Sequence, residues 1–109
     1  MEILQTAVDA LAKISETQPL IHHLTNMVTV NDCANITLAI GGSPVMASDP
    51  QEVEEVVSHA AALVMNLGTP DATKIQAMLL AGKRANALGI PIVFDPVGIG
   101  ATAFRRQSA

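Results

Sequence analysis

The 109-residue chain has no tryptophan, no tyrosine and only two phenylalanines. That scarcity excludes the aromatic platforms on which single-stranded nucleic acids stack. A single cysteine, Cys33, excludes an intrachain disulfide and any zinc site built on a cysteine pair. Six basic residues stand against ten acidic ones, for a net charge of −4. The basic footprint of a protein bound to nucleic acid or an anionic membrane is therefore missing. No apolar run approaches the ~20 residues needed to span a bilayer. The opening stretch MEILQTAVDALAKISE carries acidic residues and lacks the basic, apolar and small-residue order of a signal peptide. The expectation is a cytoplasmic chain with no nucleic-acid and no membrane partner. No internal repeat, low-complexity tract or linker interrupts it.

Half of the residues are hydrophobic and 15% are charged, an ordinary globular composition with enough length for one small domain. Alanine, valine, isoleucine, leucine and methionine must build the core, which suits helices packed on a parallel sheet. Leu4, Ala7, Val8, Leu11 and Ile14 recur at helical spacing, predicting an amphipathic helix over residues 2–16. Leu20–Leu24 reads as a short strand. A helix follows within 29–42, with Gly41 as its stop, and then a brief strand over Ser43–Ala47. Asp49 is expected to cap the next helix, with Pro50 at its first position and Glu52 closing a capping box. Ala62–Gly68 reads as a buried strand. Thr69 as cap, Pro70 as first residue and Gly89 as stop frame a long helix. Ile90–Asp95 is the last strand.

Strands alternating with helices of this length imply right-handed crossovers and a mainly parallel α/β sheet with flanking helices. Ligands of such sheets bind beyond the carboxyl ends of the strands. The residues at those exits are Thr25–Asn26, Met46–Ala47–Ser48, Asn66 and Asp95, and three of the four exits carry an Asn or Asp. One shared polar mouth is the expectation. Asp95 is either a ligand or metal group or a cap for the next segment, and the residues alone leave both open. Gly98 and Gly100 allow close backbone approach or are simple turn residues. The GIGA string lacks the lysine and hydroxyl of a phosphate loop.

The remaining candidates read as structural. His22 and His23 point to opposite faces of a strand, so they cannot share one metal without distortion. Cys33 has no basic neighbour and reads as a packing residue. Glu52, Glu54 and Glu55 suit a helix start through its dipole, and His59 suits a helix end. Arg105 and Arg106 are able to grip phosphate but need no special role.

Taken together, TNMVTVNDCAN, SPVMA, NLGT and DPVGIGAT, in unbroken order between about residues 19 and 109, resemble the N-terminal part of the hydroxyethylthiazole kinase family, within the ribokinase-like superfamily. The resemblance implies the N-terminal portion, residues 1–109, of a single ribokinase-like domain. It implies phosphorylation of the hydroxyl of 4-methyl-5-(2-hydroxyethyl)thiazole by ATP with Mg²⁺, a salvage step toward thiamine. It places Met46 and Asn26 in the thiazole pocket, Met46 acting largely through its backbone, and Asp95 near magnesium and the phosphates. It further implies a homotrimer with the pocket between subunits. The family's nucleotide site, glycine-rich anion hole and reactive cysteine lie beyond GATAFR, and Cys33 is not that cysteine. No catalytic residue is therefore expected in this chain, which reads as a fragment, a truncated frame or one piece of a split enzyme, inactive alone. The rivals are a non-catalytic thiazole-binding remnant and another ribokinase-like enzyme, such as a hydroxymethylpyrimidine kinase or a hydrate-repair dehydratase. The SPVMA and NDCAN strings argue against the last group.

Overall fold

In the computed structural model, which describes residues 2–109, helices and strands alternate: α1 (Glu2–Thr17), β1 (Leu20–Leu24), α2 (Val30–Ala39), β2 (Ser43–Met46), α3 (Val53–Ser58), β3 (Ala62–Asn66), α4 (Ala72–Leu88), β4 (Ile92–Asp95) and α5 (Ala103–Ser108). The four strands form one sheet in the order β2-β1-β3-β4, and every pairing is parallel. This is the expected α/β architecture. The short α5 was not anticipated by the periodicity; Thr102 starts it by accepting the Arg105 amide through Oγ1 at 3.1 Å.

The register assigns each residue to a face, because hydrogen-bonded parallel partners lie side by side. His22 pairs with Val45 and Leu63, and Leu63 with Ile92. That face carries the core: Leu24 and Leu63 pack with Val53 and Val57 of α3 and with Ala77, Met78, Ala81 and Ala85 of α4. Alanines along α4 let the helix approach the sheet closely, which suits a chain so poor in aromatics. The opposite face carries Ile21, His23, Met46, Val64, Asn66, Val93 and Asp95.

Several boundaries differ from the sequence reading; β2 ends at Met46 rather than Ala47, and β3 at Asn66 rather than Gly68. The regular helix α3 begins at Val53, one turn later than expected. Asp49 caps the turn that leads into it: its Oδ1 accepts the Gln51 amide at 2.8 Å, and its carbonyl takes the amides of Glu52 and Val53. Glu52 occupies the N-cap position without a side-chain bond, so the capping box does not form. In α4 the cap is Asp71, not Thr69. Its extended backbone places Oδ1 2.8 Å from the Lys74 amide, whereas Thr69 sits at a positive φ of 49°. Gly89 does end α4 in the left-handed conformation, and Ile90 then donates its amide to Ala85. That bond ties Ile90 to the helix end, so β4 starts only at Ile92.

Helix α1 forms over the predicted span, yet none of its residues is buried. Ile3, Leu4, Val8 and Leu11 face solvent, and Val93 on the second sheet face is 61% exposed. Exposed apolar surface of this kind promotes association. The 109-residue chain is expected to self-associate in sedimentation velocity. Val93→Lys should shift it toward monomer while leaving the denaturation midpoint nearly unchanged. Leu63→Ala, at a fully buried central position, should instead cost about 2–5 kcal/mol.

Candidate functional site

Parallel strands deliver all four exits to one edge of the sheet. Asn26, Met46, Asn66 and Asp95 therefore lie along it, the order of strands setting Met46 at one end and Asp95 at the other. Three of these residues are joined by hydrogen bonds. Asn26 Nδ2 donates to Asn66 Oδ1 at 2.9 Å, and Asn66 Nδ2 donates to Asp95 Oδ2 at 3.2 Å.

Backbone amides fix the direction of this relay, because an N–H can only donate. Asn26 Oδ1 accepts the amides of Val28 and Thr29 at 3.0 Å and the Thr29 hydroxyl at 3.2 Å. Its amide nitrogen must then face Asn66. Asn66 Oδ1 also accepts the Gly68 amide at 2.8 Å, which turns the Asn66 NH₂ toward Asp95. Asn26 retains one amide hydrogen for a ligand. Asp95 retains Oδ1, which takes no hydrogen bond from the described residues. The alternative role of Asp95 as a cap for the following helix is not realised, since Thr102 caps α5. Gly68 permits the close approach: a Cβ there would lie 2.6 Å from Asn26 Nδ2 and 2.8 Å from Asn66 Oδ1.

Two cavities open beside this relay. The larger, about 480 Å³, lies between the β1 exit, Ser48 and the start of α4, with Thr69, Asp71, Thr73 and Lys74 in its wall. The smaller, about 130 Å³, is lined by Met46, His23 and Val30. Thr25, Asn26, Met27 and Ser48 line both, so the two adjoin. Asn26 and Met46 thus share the smaller cavity. Asp95 lines neither and is linked to the cavities through Asn66.

The two histidines act as struts. His22 Nε2 lies 2.8 Å from the Ala47 carbonyl, an acceptor only, so this nitrogen carries the proton. His23 Nε2 lies 3.1 Å from Thr37 Oγ1. That hydroxyl already gives its hydrogen to the Cys33 carbonyl at 2.8 Å, so His23 Nε2 is the donor here too. In both rings Nδ1 is left buried and without a partner. One strut holds the β2 exit beside Met46, and the other holds α2, so both cavity walls are tied to β1. Burial lowers the pKa of His22, against weaker opposing effects of the Ala47 bond and of Glu52; burial and then the neighbouring His22 lower that of His23. Both contacts are structural, and His23, unlike His22, also lines the smaller cavity, so one of the two faces the candidate site. Cys33 is half-buried in α2, and its carbonyl serves Thr37. Arg105 and Arg106 fold back onto the carbonyls of Val97 and Gly100 at 3.3 and 3.5 Å, steadying the loop after Asp95.

Sequence reasoning missed Asp71 and Lys74. Lys74 is 8% exposed, and its ammonium donates to the Gly68 carbonyl at 2.7 Å. Burial lowers its pKa, with Asp71 acting in the opposite direction. A lysine in the first turn of a helix, where the dipole disfavours a cation, was the available signal.

Comparison with known proteins places the chain in a narrow neighbourhood. The model of the hydroxyethylthiazole kinase family matches residues 11–109. A hydroxyethylthiazole kinase of Clostridium tetani is 58% identical over 109 residues, covering 100% of this chain and 40% of that protein. One from Alkaliphilus metalliredigens is 58% identical over 105 residues, covering 96% and 39%. The solved structure of a hydroxyethylthiazole kinase protein from Pyrococcus horikoshii superposes with a TM-score of 0.92 at 46% identity, covering 95% of this chain and 41% of that one. The chain spans about two fifths of the length of the relatives it matches.

Two outcomes follow from the site geometry. Gly68→Ala should break the Asn26–Asn66 bond and lower stability by roughly 1–3 kcal/mol in urea unfolding. Gly100→Ala, whose added Cβ meets nothing within 4 Å, should shift it by less than about 0.5 kcal/mol. The second outcome concerns pH. Both histidine pKa values lie below the ordinary 6.5 in the folded chain, so below that pH the unfolded chain binds more protons. Stability is full above pH 6.5 and declines as pH falls toward the lowered folded values. The slope is at most about 1.4 kcal/mol per pH unit for each histidine. Urea midpoints measured across this range should fall with acid, and His22→Gln should flatten the dependence.

Proposed function

Because this chain belongs to the hydroxyethylthiazole kinase family, we propose that it forms the N-terminal portion of a ribokinase-like kinase domain that transfers phosphate from ATP to the hydroxyl of 4-methyl-5-(2-hydroxyethyl)thiazole, in the cytoplasmic synthesis of thiamine. The observation that carries the reading is the hydrogen-bonded row from Asn26 to Asp95 beside the cavity that Met46 lines. A neutral heteroaromatic alcohol suits a pocket with apolar walls and few polar groups.

In this reading Met46 and Asn26 hold the thiazole. Val30 and Met46 supply the apolar wall, and the free amide hydrogen of Asn26 orients a ring or hydroxyl acceptor. The His22 bond to Ala47 keeps the backbone beside Met46 in place. Asp95 lies at the far end of the row, where the phosphates would meet the alcohol.

A single exposed carboxylate with one oxygen unengaged fits magnesium, which takes one or two carboxylates and completes its shell with phosphates and waters. Among the described residues no group of three or more His, Cys, Asp or Glu is able to hold a metal, so Asp95 would hold an ion that arrives with the nucleotide. When bound, the ion neutralises charge on the transferring phosphoryl group. Asn66 keeps the Asp95 carboxylate turned toward that position through its 3.2 Å bond. A trimer, as the family resemblance implies, would close the open side of the cavities with a second copy of the chain.

The test is a chimera in which residues 1–109 replace the matching segment of the Clostridium tetani relative. Coupled ATP consumption should depend on the thiazole alcohol in the chimera and be absent with the 109-residue chain alone. Asp95→Asn in the chimera should lower kcat about 10–100-fold with KM for the alcohol little changed. A well-folded chimera without thiazole-dependent turnover would defeat the kinase reading. Unchanged kcat in Asp95→Asn at limiting Mg²⁺ would defeat the role of Asp95.

A further inference from the structure

We propose that the larger cavity binds an oxyanion of the phosphate class, with Lys74 as its cationic anchor. The site is separate from the Asp95 end of the sheet edge and does not rest on the kinase reading.

Lys74 is more than nine-tenths buried in the cavity wall, a position where charges are ordinarily paired. Its ammonium has three hydrogens, and the described residues offer it a single acceptor, the Gly68 carbonyl. Asp71 is the nearby carboxylate in the same wall, but its Oδ1 is engaged by the Lys74 backbone amide, 2.8 Å away, and not by the ammonium. The first turn of α4 adds positive potential from its open amides, so the cation is left under-compensated by the protein.

The rest of the wall offers donors. Ser48, Thr69 and Thr73 present hydroxyls that make no side-chain hydrogen bond to the described residues. A lysine acts as a point charge and suits a phosphate oxygen, whereas a planar carboxylate is better matched by an arginine fork, which this wall lacks. At about 480 Å³ the space exceeds one phosphate and adjoins the Met46 cavity, so a phosphate carrying an organic group fits. Asp95, at the other end of the strand order, has no cation among its hydrogen-bond partners and would meet phosphates only through a metal ion, whereas this cavity carries a cation of its own.

The experiment measures acetylation of each lysine of the 109-residue chain by mass spectrometry, with and without ligand at matched ionic strength. Lys13 and Lys83 are exposed and serve as internal controls. Inorganic phosphate, the phosphate ester of the thiazole alcohol and a nucleoside triphosphate are the three probes. Selective slowing at Lys74 is expected with at least one. A stronger effect of the ester assigns the site to a phosphorylated small molecule, and a stronger effect of the triphosphate assigns it to a nucleotide. Equilibrium dialysis with the protecting probe gives the second reading: Lys74→Met should weaken binding at least about tenfold, and Lys74→Arg should retain it within about threefold. Equal slowing at all three lysines, no slowing with any probe, or undiminished binding by Lys74→Met would overturn the proposal.

Discussion

Asn66 ends the central strand β3, and its side chain holds both neighbouring strand exits at once. It accepts from Asn26 on the β1 side and donates to Asp95 on the β4 side. A carboxamide is the group for this position because it has a donor and an acceptor on one planar head. A carboxylate would repel Asp95, and an aliphatic residue would leave Asn26 Nδ2 and the Gly68 amide without partners. The row of polar groups is therefore one connected unit, and the shape of both cavities follows from where it holds the exit loops.

That unit depends on rigid support below it. The alanine-rich face of α4 and the valines of α3 seal one side of the sheet around Leu24 and Leu63. On β1, adjacent histidines use opposite faces: His22 reaches the β2 exit and His23 reaches α2. Both contacts are donated by neutral imidazoles. The same buried bonds that set the cavity walls thereby couple their stability to proton concentration, since protonation would add charge where burial disfavours it. The hydrogen-bonded row lies at the carboxyl edge of the sheet, while exposed apolar surface lies on α1 and around Val93.

Much of the fold was legible. The stripe of Leu4, Val8 and Leu11, the apolar runs of the strands and the left-handed stop at Gly89 each report a local preference that the tertiary structure keeps. So did the polar residues at strand ends: parallel direction alone sends Asn26, Met46, Asn66 and Asp95 to the same edge. The starts of α3 and α4 were less legible because several residues there are able to cap. Asp49 satisfies amides in either a turn or a helix, and the choice between Thr69 and Asp71 rests on backbone geometry that no local pattern displays. Likewise, a spacing rule identifies an apolar stripe on α1 but not whether anything covers it.

The sequence by itself determined the alternation of helices and strands, the parallel sheet, the exit residues and the family, because these rest on periodicity, local turn chemistry and motif order. Only the tertiary structure decided that Asn26, Asn66 and Asp95 are bonded in a row, that each histidine donates from Nε2, and that Lys74 is buried beside a cavity. Those facts join residues as many as 40 positions apart. Hydrogen-bond direction and the degree of burial arise from which groups meet across the sheet, and separation along the chain carries no record of that meeting.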